Sequence, residues 1–153
     1  MIRVQGRHEA YEFEGVQLGH GTSYIPGASR WSETTIWQTS SGRYVIQKKG
    51  CSNVVHAVDG ICFSRGSRVT ITDPANIVPC STCAAPSTAG AEVIREIDLC
   101  NVRTTNSPDG VVQILTNVNA DGVHYMNNVS AAALRAAASN DQQISNAMRV
   151  RKL

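Results

Sequence analysis

Aromatic residues are scarce in this chain. Only 5% of its residues are Phe, Trp or Tyr, so a core must be assembled mainly from Val, Ile, Leu and Ala. Charged residues are also few, at 17% against about a quarter in an ordinary globular protein. The net charge of +2 is too small to recruit nucleic acid by electrostatics alone. No apolar run approaches the roughly 20 residues of a membrane-spanning helix, so no membrane partner is expected. The opening stretch carries Arg3, Arg7, His8, Glu9, Glu12 and Glu14, so no apolar secretory leader is expected there. The expectation is a cytoplasmic protein. What is present is a hydrophobic content of 42% over 153 residues, enough to bury one real core, so a single domain over 1–153 is expected.

Five cysteines are present, and in a reducing compartment they suggest metal or free thiols before disulfides. Three of them join one histidine in a spaced set: His56, Cys62, Cys80 and Cys83. A C-x2-C pair gives two adjacent ligands because a tight turn brings both sulfurs to one point. Pro79 pre-shapes that turn by holding Val78 extended. The donors match a closed tetrahedral zinc site in number and type. Cys51 in place of His56 is an alternative fourth ligand, and a redox pair formed by Cys80 and Cys83 is another reading of the thiols.

Turn and periodicity signals place these residues in an α+β chain: an N-terminal antiparallel β-sheet with a zinc knuckle over 51–86, then a C-terminal helical segment over 107–153. Residues 1–29 are mixed. Gly19-His20-Gly21-Thr22-Ser23 reads as a loop in which backbone N–H groups could cradle a phosphate. Trp31–Thr39 and Tyr44–Lys49 form a hairpin about Ser40-Ser41-Gly42. On its first strand Trp31, Glu33, Thr35 and Trp37 share one face while Thr34 and Ile36 share the other, and neither is cleanly apolar. Further strands are expected over 52–58, 68–72 and 93–102. Ser107-Pro108-Asp109 opens a helix, with Ser as N-cap and Pro at the first helical position. Asn119-Ala120-Asp121-Gly122 breaks it. A second helix is expected over 123–139, striped by Val123, Met126, Val129 or Ser130, Ala133 and Ala137. A third is expected over 142–148. Basic residues gather at Arg65 and Arg68, and over 149–152.

Val55-His56, Cys62 and the run Val78-Pro79-Cys80-Ser81-Thr82-Cys83 with Pro86 nearby together resemble the Ada-type metal-binding knuckle, over about a quarter of the chain. That family's pattern uses four cysteines, one of which accepts a methyl group from damaged DNA. With His56 at one position, the resemblance implies a structural zinc and not alkyl transfer. A second resemblance, to small proteins of phages and other mobile elements, rests on Arg30-Trp31-Ser32-Glu33-Thr34-Thr35-Ile36-Trp37, Gly42-Arg43-Tyr44-Val45-Ile46 and Asp121-Gly122-Val123-His124-Tyr125. It implies an accessory protein that binds and blocks a component of host defence.

Arg30, Trp31, Trp37, Arg43, Tyr44, Lys48 and Lys49 lie on one hairpin, where aromatics beside cations can stack bases and hold phosphates. With His20 they are the candidate ligand-facing residues; core packing or a homo-oligomer face are the alternatives. No paired carboxylates and no Ser/His/Asp order are present. The expected function is therefore a non-enzymatic binding protein stabilised by zinc; the phage resemblance implies that it blocks or modulates host machinery by binding a host protein complex or nucleic acid. A protein that sequesters small nucleotides through the hairpin and the Gly-rich loop, and an enzyme acting on nucleic acid through His20 or His56, are the alternatives.

Overall fold

A computed structural model describes residues 1–62, 66–96 and 99–149. In chain order its strands and helices are β1 (Ile2–Gln5), β2 (Ala10–Phe13), β3 (Gly15–Thr22), β4 (Arg30–Thr39), β5 (Tyr44–Ser52), β6 (Val54–Ala57), β7 (Ser67–Thr70), β8 (Val78–Pro79), β9 (Glu92–Arg95), β10 (Leu99–Thr105), α1 (Pro108–Leu115), β11 (Asn117–Val118), β12 (His124–Tyr125), α2 (Asn128–Asn140) and α3 (Gln142–Arg149). The chain is α+β, with strands dominating the N-terminal region and helices the C-terminal one. It divides into two compact units. Unit 1 comprises 1–23, 32–49 and 100–153, and unit 2 comprises 24–31 and 50–99.

Unit 1 contains a four-stranded sheet in the order β10-β5-β4-β3. On one face Leu18, Ile36, Tyr44 and Ile46 pack with Val111 and Leu115 of α1, Ala133, Leu134 and Ala137 of α2, and Ile144 of α3. A second cluster joins Val4, Trp37 and Val45 with Phe13, whose ring meets Trp37 edge-on at 6.3 Å between centroids. This explains the ambiguous hairpin strand. Ile36 and Trp37 belong to separate apolar clusters, so both faces of β4 are covered there and no simple alternation can show in the sequence. The turn forms as expected, with Gly42 at φ +86 and Thr39 N–H donating to the Arg43 carbonyl at 2.8 Å.

The glycine-rich stretch is not a loop. Gly19 and Gly21 sit inside β3, paired with Ile36 and Thr34 of β4. A Cβ at Gly19 would overlap the Ala133 carbonyl, and one at Gly21 the Val129 carbonyl. These glycines let the Ala-rich face of α2 approach the strand closely. The phosphate-cradling loop is thereby corrected to a strand–helix contact.

Helix α1 begins as the sequence predicts, with Ser107 accepting from the Gly110 N–H at 3.0 Å. Helix α2 begins later than expected. Val123, His124 and Tyr125 belong to a small hairpin of β11 and β12, turned by Gly122 at φ +76 and by Asn119 Oδ1, which accepts from the Asp121 and Val123 N–H groups. Asn127 is the N-cap, accepting from Ser130 N–H at 2.8 Å. The expected stripe therefore survives only from Ser130 through Ala133 to Ala137, with Leu134 beside it. Helix α3 is as expected, capped by Asp141 Oδ1 on the Gln143 N–H.

Unit 2 holds a second four-stranded sheet, ordered β7-β9-β6-β8. β6 pairs parallel with β8 and antiparallel with β9. Its core cluster is small: Val55, Ile71, Ala85 and Val93. The single strand expected over 93–102 is two strands, β9 and β10, in different sheets. Ile97, like Arg65 and the basic residues after Arg149, lies outside the described residues.

Candidate metal centre

Each of the four proposed ligands is delivered by a local device in unit 2. His56 is the third residue of β6, opposite Ile94 of β9. Because β6 and β8 run parallel with Val55 beside Pro79, Cys80 emerges next to His56, its N–H donating to the Val55 carbonyl at 2.9 Å. Cys62 follows a turn closed by the Gly60 N–H on the Ala57 carbonyl, also at 2.9 Å. A Cβ at Gly60 would lie 2.7 Å from Cys83 Cβ, so only glycine lets that turn close against the second thiol of the C-x2-C pair. After Cys83 the chain reverses through Ala84 in the left-handed region, φ 48, a conformation that costs a non-glycine residue free energy. Ala85 is then buried in the unit's core.

The ligand atoms of the four residues all lie within 4.8 Å of one another. Cys80 Sγ is 3.7 Å from Cys62 Sγ, and Cys83 Sγ is 3.6 Å from His56 Nδ1. A tetrahedron with metal–sulfur bonds of ~2.3 Å and a metal–nitrogen bond of ~2.0–2.1 Å has S···S edges of about 3.8 Å and S···N edges of about 3.6 Å. These two edges therefore already have coordination lengths. They are far from the ~2.05 Å of a disulfide, and all five cysteines are free thiols. The donors fit a metal ion. Cys51 and Cys100 are not in the group.

The electrostatics favour the metal-binding protonation state at Cys80 and oppose it at Cys62. Hydrogen bonds from the backbone of Cys83 and Thr82 lower the Cys80 thiol to about 6, which favours its thiolate. The Cys62 thiol is raised, first by its hydrogen bond with Cys80. His56 Nε2 lies 3.1 Å from Glu96 Oε1, and Arg30 donates to the same oxygen at 2.8 Å. Burial works to raise the Glu96 carboxyl, but hydrogen bonds from Arg30, His56 and Ser52 hold it below the usual carboxylate range. An ionised Glu96 only accepts, so this contact places a proton on Nε2 and leaves Nδ1 as the ring atom on the side of Cys83 Sγ. This is the carboxylate–imidazole relay that orients metal-bound histidines. No sequence signal marks Glu96, which stands 40 residues from His56 and is brought to it by the pairing of β6 with β9.

The other candidate residues are placed differently. In unit 1, Trp37 and Tyr44 are buried. The Tyr44 hydroxyl donates to Asp141 Oδ2 at 2.9 Å, and burial, then that bond, raises its phenol to about 12. Neither ring is available to stack a base. His20 Nδ1 bonds Thr35 Oγ1 at 2.9 Å, Arg43 donates to Thr104 Oγ1 at 3.1 Å, Lys49 pairs with Glu33 at 3.2 Å, and Lys48 Nζ donates to the Ile114 carbonyl at 3.1 Å. In unit 2, Arg30 serves Glu96, and Trp31 packs edge-on against Tyr24 at 4.9 Å between centroids. Among the described residues no helix is long and apolar enough to cross a membrane.

Compared with known proteins, the chain matches no protein-family model, no curated protein and no solved structure.

Proposed function

We propose that this chain is a binding protein organised by a structural zinc ion, and not a catalyst. One observation carries the reading: three sulfurs and one imidazole nitrogen lie within 4.8 Å of one another, a donor set that would fill all four positions of a zinc ion and leave none for water or substrate. Thiolate and imidazole donors in a tetrahedron suit zinc, which brings no redox chemistry of its own.

The residues beside the ligands favour a protein partner. Ile61, next to Cys62, is 84% exposed, and Val78, two residues before Cys80, is 41% exposed. Apolar side chains presented on a rigid knuckle are the material of a protein contact more than of a phosphate backbone. The resemblance to phage and mobile-element proteins supports placing the partner in the host's defence machinery, which the bound protein would block.

The test is capture from a bacterial lysate on the immobilised, zinc-loaded full chain, with Ile61→Asp and a chelator-treated sample alongside. A protein retained by the native chain and lost in both comparisons supports the reading. Retention of nuclease-sensitive material alone moves the function to nucleic-acid binding. Equal retention by all three samples overturns the role of the knuckle.

A further inference from the structure

Among the described residues, four side-chain cations sit against a glutamate: Arg3 with Glu12, Lys49 with Glu33, Arg30 with Glu96, Arg68 with Glu92. Lys48 and Arg103 do not. In unit 1, Lys48 and Arg103 line the same cleft of about 240 Å³, and none of the residues around it is acidic. Among the described residues, neither Lys48 nor Arg103 makes an ion pair with a carboxylate. The remaining polar lining is neutral and rich in amide donors, from Asn101, Gln113 and Asn117.

Two like charges in one cleft repel, and the repulsion registers. Burial first, and then the Arg103 charge, lowers the Lys48 ammonium from its ordinary value. Folding keeps them together because Lys48 Nζ caps the C-terminus of α1 through the Ile114 carbonyl. That end of the helix carries a partial negative charge of about half a unit at most, which leaves the two full positive charges largely uncompensated. An anion entering the cleft would relieve the repulsion and meet a guanidinium fork, an ammonium and amide N–H groups.

We propose that this cleft is a binding site for a phosphate-class oxyanion. The size sets the ligand: the cleft falls below the roughly 300–1,000 Å³ of sites that swallow a drug-sized molecule. No aromatic ring lines it, so no base is stacked there. It takes inorganic phosphate or the terminal phosphate of a monoester whose remainder stays in solvent. The site is separate from the metal centre and stands whether or not the zinc reading does.

The experiment is a titration of the metal-loaded full chain with inorganic phosphate at constant ionic strength, followed residue by residue in amide NMR spectra. Saturable shifts at Lys48, Arg103 and Asn117, absent with chloride, are expected. Arg103→Gln, an exposed substitution, should weaken binding roughly tenfold or more, the worth of one charge-assisted hydrogen bond, with the remaining spectrum unchanged. Lys48→Arg should retain binding where Lys48→Gln loses it. A parallel titration with glycerol phosphate separates the sources: tighter binding than inorganic phosphate assigns the site to a monoester, and weaker binding assigns it to the free ion. Shifts that chloride reproduces, no saturation with either phosphate, or unchanged affinity in Arg103→Gln would overturn the proposal.

Discussion

The two units of this protein reach a fixed structure by different means. Unit 1 has a main apolar cluster of ten buried residues drawn from three helices and a four-stranded sheet, and a second cluster around Trp37. Among the described residues, unit 2 has a core cluster of four buried residues, two of them Val and one an Ala, together with the group of His56, Cys62, Cys80 and Cys83. A small core of that kind rarely stabilises a fold without a staple. On the proposed reading, a metal would do its work in the part of the chain whose described apolar cluster is the smaller. The scarcity of aromatic residues belongs to the same account, since the largest fully buried side chain among the described residues, Tyr44, lies in unit 1.

Removing the metal should break the comparison most severely. Structural zinc contributes on the order of 10 kcal/mol at neutral pH. Under a strong chelator the amides of β6, β8 and β9 should lose hydrogen-exchange protection while those of β3 and β4 keep theirs; equal loss in both units would refute the division of labour. Next in size is the converse perturbation. Leu115→Ala empties a fully buried position of unit 1 and should cost about 2–5 kcal/mol in denaturant unfolding, with metal content untouched.

A smaller effect sharpens the comparison inside unit 2. Glu96→Gln replaces the acceptor that orients His56, and metal affinity should drop roughly 10–100-fold in a competition titration with a chromophoric chelator; unchanged affinity would mean the carboxylate does not position the imidazole. The smallest belongs to unit 1. The Tyr44 phenol is raised to about 12, so its contribution is complete below its ordinary value near 10 and is lost as pH rises from there through the folded value. Tyr44→Phe should cost about 1 kcal/mol at neutral pH and should flatten the alkaline fall of stability between those two values.

What could be read from the sequence was local. The hairpin announced itself through Gly42, α1 through Ser107 and Pro108, and the His/Cys cluster through its spacing, because a C-x2-C turn is a local device. Features decided by distant partners stayed hidden. Gly19 and Gly21 look like loop residues until α2 is laid across them. Val123, His124 and Tyr125 follow the helical phase of α2, yet Asn119 and Gly122 fold them into a hairpin first. Glu96 and Arg103 carry no motif; the pairing of β9 with β6 gives one its role, and the cleft shared with Lys48 gives it to the other.

The central claim is that His56, Cys62, Cys80 and Cys83 hold one zinc ion, and the most direct measurement is the metal content of the protein purified without added metal, by mass spectrometry. The account predicts one zinc per chain, lost when Cys80 and Cys83 are both changed to Ser. Less than about a tenth of an equivalent in the native protein, against the single four-ligand site assigned to it, would contradict it.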